Sequence, residues 1–138
     1  MREIDLLVVH HSASPLSTKR AQIEGWHLDR GFTQIGYHFV VEQDGALIPG
    51  RPIALEGAHA KGHNATSVGL CLTGNNTDPS QSWTLAQKNT LAQFVRWFLV
   101  FHPTAAVMGH RDLEGAHTEC PGLDARQLLR DLGALTGG

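Results

Sequence analysis

Cysteine is scarce in this chain: two residues in 138, Cys71 and Cys120. So sparse a pair excludes the disulfide framework that staples small secreted domains. A single Cys71–Cys120 bridge is not expected either. Cys71 falls in the apolar run Val68-Gly69-Leu70-Cys71-Leu72, and Cys120 in a loop before Pro121. Tyrosine is scarcer still, with Tyr37 alone. No Lys/Arg run exists, and 11 basic against 13 acidic residues leave a net charge of −2. Nucleic acid and membrane are therefore not expected as partners. No stretch of about 18 apolar residues is available to cross a bilayer. The opening segment passes directly into an apolar run, without a basic n-region, an h-region and a cleavage site in order. No signal peptide is expected, and synthesis in the cytoplasm is. Repeats, low-complexity tracts and linkers are also missing, so residues 1–138 are expected to form a single domain.

What is present reads as a globular α/β chain. Hydrophobic residues make up 41% and charged residues 17%, the balance of a packed core rather than of disorder. Leu6-Leu7-Val8-Val9 predicts a buried strand, and Thr18 to Asp29 a helix stopped near Gly31. Gly36 to Gln43 predicts a second strand, with Tyr37, Phe39 and Val41 on one face. Asp44-Gly45 is a hairpin turn that returns Ala46 to Ile48. Pro49 to Ser67 is a long connection of the kind that is usually functional. Val68 to Thr73 predicts another strand. Thr84 and Gln87 form a capping box for a helix whose apolar stripe is Leu91, Phe94, Val95, Phe98 and Leu99, ended by Pro103. Ala105 to Met108 predicts a short strand that delivers His110. Asp124 and Gln127 form a second capping box before a terminal helix. Strands interleaved with helices predict an α/β fold with a central mixed β-sheet flanked by helices.

Nine histidines are the unusual feature. Two stand directly at strand ends: His10 in Val8-Val9-His10-His11-Ser12, and His110 in Gly109-His110-Arg111-Asp112. Ten positions after His110 comes Cys120, in Thr118-Glu119-Cys120-Pro121-Gly122. Two imidazoles and a thiolate are three ligands, the number a catalytic zinc takes from protein while keeping one position for water. Spacing alone leaves another reading open. His10 can be a satisfied strand-end histidine, and Cys120 a small buried hydrophobe.

The chain resembles the zinc-dependent N-acetylmuramoyl-L-alanine amidases of the type 2 class, which includes phage lysozyme-type amidases and animal peptidoglycan recognition proteins. The resemblance runs from about Leu6 to Leu129. Its ordered blocks are Val8 to Ala13, Gly25-Trp26-His27 with Gly31-Phe32, Ile35 to Phe39, His59 to Asn64, Ser67 to Leu70, Gly109 to Asp112 and Thr118 to Gly122.

The resemblance implies zinc held by His10, His110 and Cys120. His11 is not expected as a ligand, since neighbouring strand residues point to opposite faces. Tyr37 matches the tyrosine that lies over the zinc. Thr118 occupies a position that is lysine in many phage and bacterial members, and a neutral hydroxyl there gives the oxyanion less help than a full charge. His59, Lys61 and Asn64 fall in a block beside the substrate groove, with His59 also a candidate proton shuttle. Trp26, with His27 beside it, is a further candidate for substrate contact. Arg111 and Asp112 are expected to brace the His110 loop, and His117 to lie exposed in it. Cytoplasmic recycling members carry a glutamate where this chain has Cys71, which points toward a wall-degrading enzyme. The implied activity is hydrolysis of the bond between N-acetylmuramic acid and L-alanine in peptidoglycan, by a monomer, in a phage or prophage endolysin released from the cytoplasm to the wall. A non-catalytic peptidoglycan-binding recognition module is the alternative.

Overall fold

The computed structural model describes residues 2–136. Five strands form one sheet: β1 (Leu6–His11), β2 (Phe39–Val41), β3 (Leu47–Pro49), β4 (Ser67–Leu72) and β5 (Ala106–Gly109). Their spatial order is β3-β2-β4-β1-β5. β1 runs parallel to both β4 and β5, and β2 parallel to β4, while β3 turns back antiparallel on β2. The sheet is therefore mixed, as the sequence predicts.

Alternation along the strands sorts the core into two faces. Leu7, Val9, Val41, Leu70 and Leu72 pack with Leu91, Phe94, Val95 and Phe98 of helix α2 (Leu85–Phe101) and with Leu129 of α3 (Ala125–Asp131). On the opposite face Val8 packs with Ala60 and Leu113, and Val40 and Cys71 pack with Ile23 of helix α1 (Arg20–Asp29) and with Ile35. The long connection, through Ala60, and α1, through Ile23, share the cover of this second face.

Local chemistry explains where the elements differ from the sequence reading. Helix α1 starts at Arg20 with Lys19 at its N-cap, because the Thr18 hydroxyl donates to Ser14 Oγ instead of capping the helix. Strand β2 is shorter than Gly36 to Gln43. Gly36 leaves the ladder to donate its N–H to the His27 ring and to accept from Ala58. The hairpin holds Gly45 at φ 88°, where glycine has no Cβ penalty. Its pairing starts at Val41–Leu47, one residue later than expected. Around α2 the reciprocal capping box forms as expected. At α3 only half of it forms: Asp124 accepts from the Gln127 N–H, but the Gln127 side chain bonds Asp131 and Arg130 instead.

Candidate metal centre

Register brings the first two candidate ligands together. In the parallel β1–β5 pair, Val9 stands opposite Gly109, so the next residues are His10 and His110. Both emerge at the carboxyl ends of parallel strands, where open α/β sheets place their ligands. Their ring centroids are 4.7 Å apart.

Cys120 reaches them from a loop tied down by its backbone. The Arg111 N–H donates to the Cys120 carbonyl at 2.7 Å, and the Cys120 N–H donates to Thr118 Oγ1 at 3.1 Å. Asn76 Nδ2 holds the next carbonyl, that of Pro121, at 2.9 Å. The bracing expected of Arg111 thus runs through its backbone. Both the Arg111 and Asp112 side chains are exposed, and among the described residues no hydrogen bond joins Asp112 to His110. Both cysteines are free thiols.

One ligand atom from each of His10, His110 and Cys120 lies within 4.8 Å of the others. Cys120 Sγ is 3.7 Å from His10 Nδ1. Tetrahedral zinc, with bonds of about 2.3 Å to sulfur and 2.0–2.1 Å to nitrogen, separates such a pair by about 3.5 Å. Donor type agrees with distance, since nitrogen and thiolate sulfur are zinc's ordinary ligands. Electrostatics agree as well. Burial lowers the affinity of the His10 and His110 rings for protons, leaving their lone pairs free. Burial pushes the Cys120 thiol up to about 11, and a cation at this point would reverse that shift. The residues present fit a divalent zinc.

His11 points away, as the strand alternation predicts. Its Nδ1 accepts the Asn76 N–H at 3.2 Å, while its carbonyl faces Cys120 Sγ.

The three ligands lie in a groove of about 520 Å³, also lined by Tyr37, His59, Lys61, Asn64 and Thr118. Tyr37 stands beside His10, with ring centroids 5.0 Å apart. Burial raises its phenol well above the usual value, so its hydroxyl stays a donor. Thr118 Oγ1 accepts from Cys120 and keeps its own hydrogen to donate.

His59, Lys61 and Asn64 occupy the groove in different ways. His59 Nδ1 lies 2.9 Å from His10 Nε2, and its Nε2 lies 3.2 Å from Ser67 Oγ. Both ring nitrogens are engaged, and burial lowers its pKa to about 3. That leaves no free nitrogen for the proton shuttle expected of it. Asn64 Oδ1 accepts the N–H groups of His59 and Ala60, so its oxygen holds the loop. Lys61 is exposed at the rim. Trp26 lines an adjoining cavity of about 140 Å³ that shares His27, Arg30 and Tyr37 with the main groove. His27 is buried and accepts the Gly36 N–H at 2.8 Å. His117 is exposed, as expected, in the loop before Cys120.

Arg30 is a groove residue that the sequence reading misses. It follows α1 and lies over Phe32 at 5.1 Å. An arginine beside a glycine at a helix end reads as a solvated charge, and only the fold turns it toward the site.

The family model described as N-acetylmuramoyl-L-alanine amidase matches residues 1–123. The endolysin of Klebsiella phage KP32 is 33% identical over 131 residues, covering 91% of this chain and 85% of that protein. An N-acetylmuramoyl-L-alanine amidase from Clostridium intestinale superposes with a TM-score of 0.85 at 28% identity, covering 96% of this chain and 87% of that one. A complex of the ectodomains of peptidoglycan recognition proteins LCa and LCx with tracheal cytotoxin matches with a TM-score of 0.79 at 26% identity, covering 94% and 82%.

Proposed function

Since the chain belongs to the N-acetylmuramoyl-L-alanine amidase family, we propose that it hydrolyses the amide between the lactyl group of N-acetylmuramic acid and the L-alanine of the stem peptide, with zinc held by His10, His110 and Cys120. The observation that carries this reading is the convergence of three ligand atoms, within 4.8 Å of one another, at the floor of the groove beside Tyr37. Zinc in such a site supplies a Lewis acid that polarises a carbonyl and brings the pKa of water to about 7.

The protein's own groups do the rest. Tyr37, protonated and fixed beside His10, donates to the oxygen on which negative charge develops. Thr118 adds a neutral donor from the Cys120 loop. The exposed cations Lys61 and Arg30 line the groove, and among the described residues neither forms a salt bridge to a carboxylate. They are free to hold carboxylates of the stem peptide. The ligands and Tyr37 all come from one chain, which supports a monomeric enzyme. Similarity to a phage endolysin along most of the chain supports a phage or prophage endolysin, made in the cytoplasm and acting on the wall after release.

Cys120→Ser tests the reading. The variant is expected to lose most bound zinc and most release of stem peptides from purified sacculi, and chelator should silence the native protein likewise. Full activity in a metal-free Cys120→Ser protein would sink the proposal.

A further inference from the structure

His10 turns Nδ1 toward Cys120 Sγ, so Nε2 faces the other way, into the long connection. There it meets His59 Nδ1 at 2.9 Å, with the two rings nearly perpendicular at 85°. Two ring nitrogens at that distance share one hydrogen. If Nδ1 of His10 gives its lone pair to a metal, the hydrogen must sit on Nε2 and point at His59. His59 then accepts at Nδ1 and carries its own hydrogen on Nε2, which lies 3.2 Å from Ser67 Oγ. One choice at His10 thus sets the tautomers of both rings.

The surroundings of His59 hold its ring to this direction. A Cβ on Gly69 would sit 2.6 Å from His59 Cγ and Cδ2, and one on Gly57 would sit 2.7 Å from Cδ2. Glycine at these two positions makes the space the ring fills. Asn64 Oδ1 fixes the backbone at His59 and Ala60. His38 packs edge-on to the ring and accepts the Gly69 N–H at 3.0 Å, which keeps β4 against it. A loop histidine whose only task was to touch substrate would need no such enclosure.

We infer that His59 is a positioning residue for the metal ligand His10, in a His10–His59–Ser67 relay that fixes the ring orientation and tautomer of the ligand. The relay rests on the metal-dependent reading above and adds the supporting partner that zinc-bound histidines ordinarily have. Such a partner is usually a carboxylate, a carbonyl or water; here it is a neutral imidazole, so no negative charge is added to the centre.

The test compares His59→Leu, His59→Asn and Ser67→Ala in the full chain. Zinc affinity is read by competition with a chelator, and the visible spectrum is read after cobalt substitution. Leucine removes the acceptor; asparagine offers its Oδ1 near the Nδ1 position. His59→Leu is expected to bind zinc 10–100-fold more weakly, with a shifted cobalt spectrum. His59→Asn should recover most of that affinity, and Ser67→Ala should show a smaller loss in the same direction. Native-like zinc affinity and cobalt spectrum in His59→Leu would overturn the relay. So would an asparagine variant no better than leucine. Failure of the native protein to bind zinc would instead overturn the metal-dependent reading beneath it.

Discussion

At the scale of single residues, the centre divides into groups that meet the reaction and groups that hold them. Tyr37 belongs to the first. Its hydroxyl is kept protonated by burial, and it stands beside His10 without being one of the three ligands. Tyr37→Phe should therefore lower kcat by roughly 10²–10³, the usual cost of removing one oxyanion donor, while bound zinc stays at the native level. Turnover on sacculi with parallel metal analysis checks this, and loss of metal in step with activity would contradict it. Thr118 has two tasks that sequence could not separate. Its oxygen accepts the Cys120 N–H, and its hydrogen remains available to the groove. His59 and Asn64 stand in one sequence block, which by itself predicts substrate contact for both. The structure turns both ring nitrogens of His59 inward, to His10 and Ser67, and the Asn64 oxygen to the loop backbone.

Among the elements, α2 illustrates how a local signal understates a residue. Gln87 is legible as the N3 partner of Thr84, and that box forms. It is also fully buried, where its Nε2 donates to the Val41 and Thr73 carbonyls at 3.2 and 2.7 Å. These bonds stitch the start of α2 to the ends of β2 and β4. Thr84→Ala should cost about 1 kcal/mol, the ordinary value of an N-cap. Gln87→Ala should cost more, about 2–3 kcal/mol, since it strands the buried Thr73 carbonyl as well as the cap, while the Val41 carbonyl keeps the Thr73 N–H. Urea unfolding of both variants measures the order, and equal costs would mean that the buried bonds contribute little.

For the whole molecule, the concentration of histidine has a thermodynamic consequence. Burial lowers the proton affinity of His10, His11, His27, His38, His59 and His110 below the usual 6.5, His59 to about 3. Below about pH 6.5 the unfolded chain therefore binds more protons than the folded one, and stability rises with pH. The contribution is complete above that value and is lost as pH falls through it toward the folded values. Metal-stripped protein should show a urea midpoint that is nearly level above about pH 7 and drops as pH falls from about 6.5 to 5. A flat or rising midpoint would mean that these rings are not held neutral in the fold. Metal should steepen the dependence, because protons and metal compete for the ligands.

Most of the elements were legible because their signals are local. The apolar run Leu6–Val9, the capping box at Thr84 and the glycine turn at Gly45 each depend on neighbours a few residues apart. The opposite facing of His10 and His11 followed from strand geometry alone. The ordered blocks pointed to a ligand set, but the meeting of His10 with His110 was decided by the β1–β5 register, and that of both with Cys120 by a loop tied through Arg111 and Thr118. Tertiary structure alone decided that His59 faces His10, that Asn64 faces its own loop and that Arg30 faces the groove. Those orientations depend on packing across tens of residues and on space left by Gly57 and Gly69. No periodicity or cap records a contact between residues 49 positions apart, because the two are neighbours only once the sheet has formed.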